Sequence, residues 1–311
     1  MNRKALIRIP LHNLIDLKID FAFKQLFGNE QNQKITIVFL NAILKKTGRN
    51  QVKEVLFVKQ ELGGEYADDK QSRLDILVKT QTGELINVEV QLTNQYNMIK
   101  RTLYYWSMLY EGQMQKGQGY ESLLSTITIN ICTFTLFDHT ENYHSSFHLY
   151  EDSSLDRLPK EDDVLEVHFI EMNKFLQAWR ANLLDPLTDI LARWLLLLGM
   201  VDARKSEVYN EIYKELEELA MKDENLLQAF SVWENMSQTP ETVHAYQSRL
   251  KYMLDEEAKI IDTLAKGKKE GFEEGIAKVA KNMIAKGKSN AEISDATELT
   301  LEEVEALRAA K

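Results

Sequence analysis

The segment Ser72–Thr93, SRLDILVKTQTGELINVEVQLT, constrains the chain most. It reads as two strands around a tight turn, with an acid in the middle of each: Asp75 within Leu74-Asp75-Ile76-Leu77-Val78, and Glu89 within Asn87-Val88-Glu89-Val90-Gln91. A carboxylate inside an apolar strand loses hydration, which costs free energy unless a partner or a metal compensates. Two such acids on neighbouring strands call for one explanation.

Side chains alternate along a strand, so Glu89 and Gln91 share a face, as do Arg73 and Asp75. A three-residue loop Gln81-Thr82-Gly83, with Gly83 in the left-handed conformation such loops use, makes Thr80 oppose Glu84. Continuing that register sets Asp75 opposite Glu89. A two-residue loop Thr82-Gly83 slips the pairing by one and puts the acids on opposite faces. In the first register both carboxylates reach one divalent cation, with the Gln91 amide beside them.

The rest of the chain has room for such a site. At 311 residues, 44% hydrophobic and 28% charged, it is globular and long enough for one large domain or two smaller ones. A single cysteine, Cys132, excludes an intramolecular disulfide and a cysteine zinc cluster, and fits a reducing cytoplasm. No signal peptide is evident, and the greasiest run, Ile190–Val201, is broken by Arg193 and too short to span a bilayer. The expectation is therefore a cytoplasmic protein without membrane contact.

The net charge of −10 argues against a simple basic nucleic-acid binder. Its distribution is uneven: residues 1–60 carry eleven Lys/Arg against four Asp/Glu, and residues 151–311 carry 21 against 33. A basic front suits a polyanion, and equally suits helical faces that are simply solvated.

In order, Asp20–Gly28 reads as a helix with Asp20 as its N-cap, and Asn32–Thr47 as a second helix stopped by Gly48. Val52–Glu61 reads as a strand, Leu62–Gln71 as an exposed connection, and Tyr96–Lys116 as a helix beyond the hairpin. Ser125–Phe137, β-branched and aromatic, predicts a central strand; Ser145–Tyr150 and Val164–Ile170 predict two more. This is a mixed sheet flanked by helices, an α/β domain over residues 1–172. Residues 173–311 predict a helical C-terminal region, whose long segment Pro240–Lys286 is interrupted at Gly267, Gly271 and Gly275.

Each candidate for chemistry has a structural counterpart. Asp75, Glu89 and Gln91 read as a Mg²⁺ or Mn²⁺ site, or as a structural set with Asp75 paired to Arg73 or Lys79; the compatible register favours the site. Asp20 and Lys24 lie one turn apart, which a cap and a surface ion pair explain; a functional role needs their helix beside the hairpin. His144 and His148 are four apart but on an extended segment, which disfavours a ligand pair, and Cys132 reads as an inert buried thiol. The tail Ser289–Arg308 outlines two short helices with Ile293, Leu299, Val304 and Leu307 as their core. Glu302, Glu303 and Glu305 on the second helix repel phosphate, so packing or homo-oligomerisation suits it better than reading DNA.

These residues together resemble a known family. Asp20-Phe21-Ala22-Phe23-Lys24-Gln25-Leu26-Phe27-Gly28, Phe39–Leu44, Arg73-Leu74-Asp75-Ile76, Asn87-Val88-Glu89-Val90-Gln91, Arg101–Tyr110, Ile127–Phe137 and the C-terminal Gly271–Gly275 and Gly287–Leu299 segments are similar to the Rpn-like group. This is the recombination-promoting nuclease and transposase family within the PD-(D/E)XK nuclease superfamily. The resemblance implies a restriction-endonuclease-like fold, with Asp75 and Glu89 as metal-binding acids. Gln91 then stands where the wider superfamily has lysine, Asp20 matches the acid of the first helix, and Lys24 lies nearby. It implies a Mg²⁺-dependent endonuclease acting on DNA and linked to recombination or mobile elements. The rival expectation is a catalytically inactive interaction protein that keeps the fold; an RNA-cutting enzyme is a third.

Overall fold

A computed structural model of the chain describes residues 6–45, 50–58, 61–62, 72–73, 75–94 and 96–309, without the side chains at 61, 62, 72 and 73. The expected connection Leu62–Gln71 lies outside the described residues from position 63 on, as do Gly48, Leu74 and the side chain of Arg73. Two compact units follow one another, Met1–Leu250 and Lys251–Lys311. The sheet therefore shares its unit with helices beyond residue 172; a boundary at 172/173 remains a proposal about where the nuclease-like part ends.

The first unit begins with α1 (Asp20–Phe27), α2 (Gln33–Leu44), β1 (Val55–Phe57), β2 (Glu61–Leu62), β3 (Ser72–Arg73), β4 (Ile76–Thr80) and β5 (Leu85–Gln91). It continues with α3 (Met98–Glu111), β6 (Thr126–Cys132), β7 (His144–Phe147), β8 (Leu165–Glu171), α4 (Met172–Arg180) and α5 (Ile190–Gly199). Then come β9 (Val201–Asp202), β10 (Glu207–Val208), α6 (Asn210–Ala220), α7 (Glu224–Gln238) and the start of α8 (Pro240–Ala285).

Six strands form the main sheet in the order β1-β4-β5-β6-β8-β7. The β5–β6 and β6–β8 pairs are parallel and the outer three are antiparallel, so the sheet is mixed. All residues of β6 are buried, as expected for a central strand covered on both faces. Its sequence, TITINIC, sorts itself by alternation. Ile127, Ile129 and Ile131 take one face; Thr126, Thr128, Asn130 and Cys132 take the other, in register with Leu85, Asn87, Glu89 and Gln91 of β5.

The β4–β5 hairpin has the register of the three-residue loop. Ile76 pairs with Val88, Leu77 with Asn87, Val78 with Ile86 and Lys79 with Leu85. The Thr80 amide donates to the Glu84 carbonyl at 2.9 Å and the Gly83 amide to the Thr80 carbonyl at 3.0 Å. Gly83 sits at φ +89°, where a side chain would be strained, and an added Cβ would meet Leu124 Cδ1 at 2.5 Å.

Helix α3 covers the polar face. Trp106 Nε1 donates to the Thr126 carbonyl at 2.9 Å, and Thr102 Oγ1 donates to Asn130 Oδ1 at 3.1 Å. Helices α1, α2 and α5 share an aromatic core in which Phe27 contacts Phe23, Phe39 and Trp194 with ring centres 4.9, 4.6 and 5.9 Å away. The segment entering α1 is tied to α5 by a buried pair, with Lys18 Nζ donating to Asp16 Oδ1 at 2.8 Å, to the Leu198 carbonyl at 3.0 Å and to the Val201 carbonyl. Asp16 Oδ2 in turn accepts from the Ala203 amide at 2.9 Å.

Two local expectations are corrected. Asp20 is not the N-cap of α1: Ile19 holds that position without a side-chain cap, and Asp20 is the first helical residue. Helix α8 is not interrupted at Gly267, Gly271 and Gly275 but runs through them for 46 residues. Each glycine costs about 1 kcal/mol relative to alanine, and the flanking Ala, Lys and Glu offset it.

In the second unit α8 is followed by α9 (Asn290–Thr297) and α10 (Leu301–Ala309). A capping box between Ser289 and Glu292 starts α9. Ile293 and Val304 are buried with Ala280 and Ile284 of α8, and Leu299 and Leu307 pack against them. No helix among the described residues is long and apolar enough to cross a membrane.

Candidate active site

The register that pairs Ile76 with Val88 brings Asp75 to Glu89. The Asp75 amide donates to Glu89 Oε1 at 3.2 Å, and the Val90 amide donates to Asp75 Oδ2 at 2.9 Å. Each acid thus accepts from the backbone of the other's strand, which fixes one oxygen of each. Asn87 Nδ2 also reaches Glu89 Oε1, at 3.4 Å.

The remaining oxygens face cations at longer range. Lys24 Nζ stands 3.3 Å from Asp75 Oδ1, and Arg101 Nη2 stands 3.7 Å from Glu89 Oε2. Arg101 Nη1 donates to Gln91 Oε1 at 2.9 Å and so orients the amide, while its guanidinium lies 5.3 Å from the Tyr105 ring centre. The partner of Asp75 is therefore Lys24 from α1, and Lys24 does not pair with Asp20. Asp20 is held instead by Arg249 of α8, whose Nε lies 2.8 and 2.9 Å from its two oxygens. Helix α1 does lie beside the hairpin, the condition on which a role for Asp20 and Lys24 depends.

The acids are nearly dry, with side chains 8% and 5% exposed. Burial pushes the Asp75 carboxyl above its usual range; Lys24 and the Val90 amide oppose this, and the charge of Asp20 adds to it. Burial and then the charge of Asp75 push Glu89 up to about 8, against Arg101. Both carboxyls are thus held toward their neutral forms mainly by burial, with their mutual repulsion second for Glu89.

A hard divalent cation fits this donor set. One oxygen of each acid and the Gln91 amide oxygen face the side chains of Lys24 and Arg101 rather than backbone, and Mg²⁺ keeps several waters rather than demanding an all-protein cage. Among the described residues no group of three or more His, Cys, Asp or Glu side chains converges as a metal cluster; the candidate set is two carboxylates and an amide. On the same sheet face as Glu89, Asn87 Oδ1 and Thr128 Oγ1 are buried without a hydrogen-bond partner among the described residues.

Arg101 is the site residue that strand patterning misses. Its visible signal is charge: residues 90–110 contain no Asp or Glu, and Lys100 and Arg101 are their only cations. The basic front is also smaller than its count. Lys18 is internal, whereas Arg8, Lys34, Lys45 and Lys53 are exposed.

The histidines do not form a ligand pair. His144 Nε2 bonds His168 Nδ1 at 2.8 Å, and His168 Nε2 bonds Glu166 Oε1 at 2.8 Å, on the sheet face opposite Glu89. His148 Nδ1 turns instead to Asp163, at 3.3 Å. Cys132 is buried, and burial followed by the charge of Glu171 pushes its thiol up to about 12.

No curated protein and no solved structure matches this chain. A family model does: that of the PD-(D/E)XK nuclease family transposase, over residues 17–263, a span that holds the whole sheet and every residue of the candidate site. The mixed six-stranded sheet, its flanking helices and the helical C-terminal region agree with the restriction-endonuclease-like α/β fold. By sheet, hairpin and family model together, the chain belongs to the PD-(D/E)XK nuclease family transposases.

Proposed function

We propose that the protein is a metal-dependent endonuclease that hydrolyses backbone phosphodiesters of DNA. The observation that carries this is the buried Asp75–Glu89 pair, with one oxygen of each anchored to backbone and the other turned to a distant cation. Asp75, Glu89 and the Gln91 carbonyl oxygen would hold Mg²⁺ or Mn²⁺, which when bound polarises a phosphate and activates water. Gln91 carries no positive charge where the superfamily has lysine, and Lys24 would supply that charge from α1. Arg101 holds the Gln91 oxygen through a hydrogen bond. In the hydrolysis, water oxygen bonds to phosphorus, the P–O bond to the leaving strand breaks, and the leaving oxygen takes a proton. The exposed cations of the N-terminal part would hold phosphates without reading sequence.

The reading extends to a cytoplasmic enzyme with DNA as its partner. Supercoiled plasmid is incubated with the protein and Mg²⁺ or Mn²⁺, beside Glu89→Ala and an EDTA control. Nicking should fall by roughly 100-fold or more in the variant and stop with EDTA. No nicking by the wild type in any of several divalent metals, or equal nicking by the variant, sinks the nuclease reading and leaves the non-catalytic interaction protein.

A further inference from the structure

Three acids lie about the candidate site, and they are held in two different ways. The outer oxygens of Asp75 and Glu89 face cations at 3.3 and 3.7 Å. Asp20 has no such slack. Arg249 grips it through Nε at 2.8 and 2.9 Å and through Nη2 at 2.7 Å, and Asp20 Oδ1 also accepts from the Phe21 amide at 2.7 Å. Planar, forked pairing of this kind is what arginine offers and lysine does not.

Asp20 nevertheless lies on the helix that contacts Asp75. It sits one helical turn before Lys24, and side chains four apart share a helix face. Lys24 from that face meets Asp75, and the charge of Asp20 is felt at Asp75. The turn of α1 that precedes Lys24 thus carries a carboxylate of its own, and a guanidinium 229 residues away in sequence occupies it.

We propose that Arg249 is a positioning residue that holds Asp20 as a partner of α8 and keeps it from joining Asp75 and Glu89 as a third acidic ligand. The proposal rests on the metal-site reading given under Proposed function. Arg249 belongs to the first turns of the long C-terminal helix, so that helix sets the number of acids available to the cation. Releasing Asp20 adds a hard oxygen donor and a negative charge, and affinity for a hard divalent cation rises with ligand charge.

The test is Mn²⁺ binding by the full chain, measured by titration calorimetry without substrate. Wild type, Arg249→Ala, Arg249→Lys, Asp20→Asn and the Asp20→Asn/Arg249→Ala double variant are compared. Arg249→Ala should bind Mn²⁺ roughly 5- to 10-fold more tightly than wild type. Arg249→Lys, which keeps the charge and loses the fork, should lie between them, and it answers the question where the alanine variant does not fold. The double variant should bind as Asp20→Asn alone does, because without the carboxylate there is nothing to release. Equal or weaker binding by both Arg249 variants overturns the inference while the metal site stands. The same holds if the Arg249→Ala effect persists in the Asp20→Asn background. No Mn²⁺ binding by any of the proteins overturns the metal-site reading and this inference with it.

Discussion

Two acid–cation clusters in the first unit are built on opposite plans. At Asp16–Lys18 every strong group is spent: the ammonium has the Asp16 carboxylate and two backbone carbonyls, and the second Asp16 oxygen has the Ala203 amide. At Asp75–Glu89 two acids share a dry space with cations that stand at 3.3 and 3.7 Å and belong to partly exposed side chains. The first cluster is a tie between chain segments. The second leaves one oxygen of each acid facing a partly exposed cation at longer range.

That contrast breaks most sharply on stability. Lys18→Met leaves the Asp16 carboxylate buried without its cation and should cost about 3–5 kcal/mol in urea unfolding. Asp75→Asn keeps an acceptor for the Val90 amide and removes a charge that repels Glu89, so it should change stability by less than about 1 kcal/mol. Comparable losses in the two variants would mean that the hairpin acids are structural after all.

A second, smaller effect concerns pH. Glu89 is raised from an unfolded value near 4.5 to about 8, so between those values the folded chain holds more protons than the unfolded one. Stability from this group is full below about 4.5 and is lost as pH rises through about 8. Thermal unfolding should show the decline, and Mg²⁺ or Mn²⁺ should recover more stability at pH 8 than at pH 6. A metal effect independent of pH would separate the cation from these carboxylates.

The smallest expected effect serves as a control on the second unit. Ser289→Ala removes the capping hydroxyl of α9 and should cost about 1 kcal/mol, read as earlier amide exchange in α9 and α10, with plasmid nicking unchanged. Lost nicking would tie the tail to catalysis.

The hairpin was legible because its information is local. Alternation places Glu89 and Gln91 on one face, and Gly83 selects the loop that sets the register. The order of the main-sheet strands was legible for the same reason, with the strand expected at Ser125–Phe137 seen at Thr126–Cys132 and buried there throughout, whereas the short pairs β2–β3 and β9–β10 were not expected. What sequence did not disclose depends on distant residues. Asp20 looks like a cap until Arg249 is beside it, and Lys18 counts as a surface cation until Leu198 and Val201 surround it. Arg101 becomes a site residue only when α3 lies across the polar face of β5 and β6. The glycines of α8 read as breaks because propensity is a weak prior over a long run of good helix formers.

The three-residue loop has a consequence for descent and for engineering. Surface turns commonly tolerate insertions and deletions, since little packs against them. Here a single residue gained or lost between Ile76 and Val88 would carry one acid to the far side of the sheet without touching either acid. Homologues that keep the chemistry should therefore vary this turn, if at all, in steps of two.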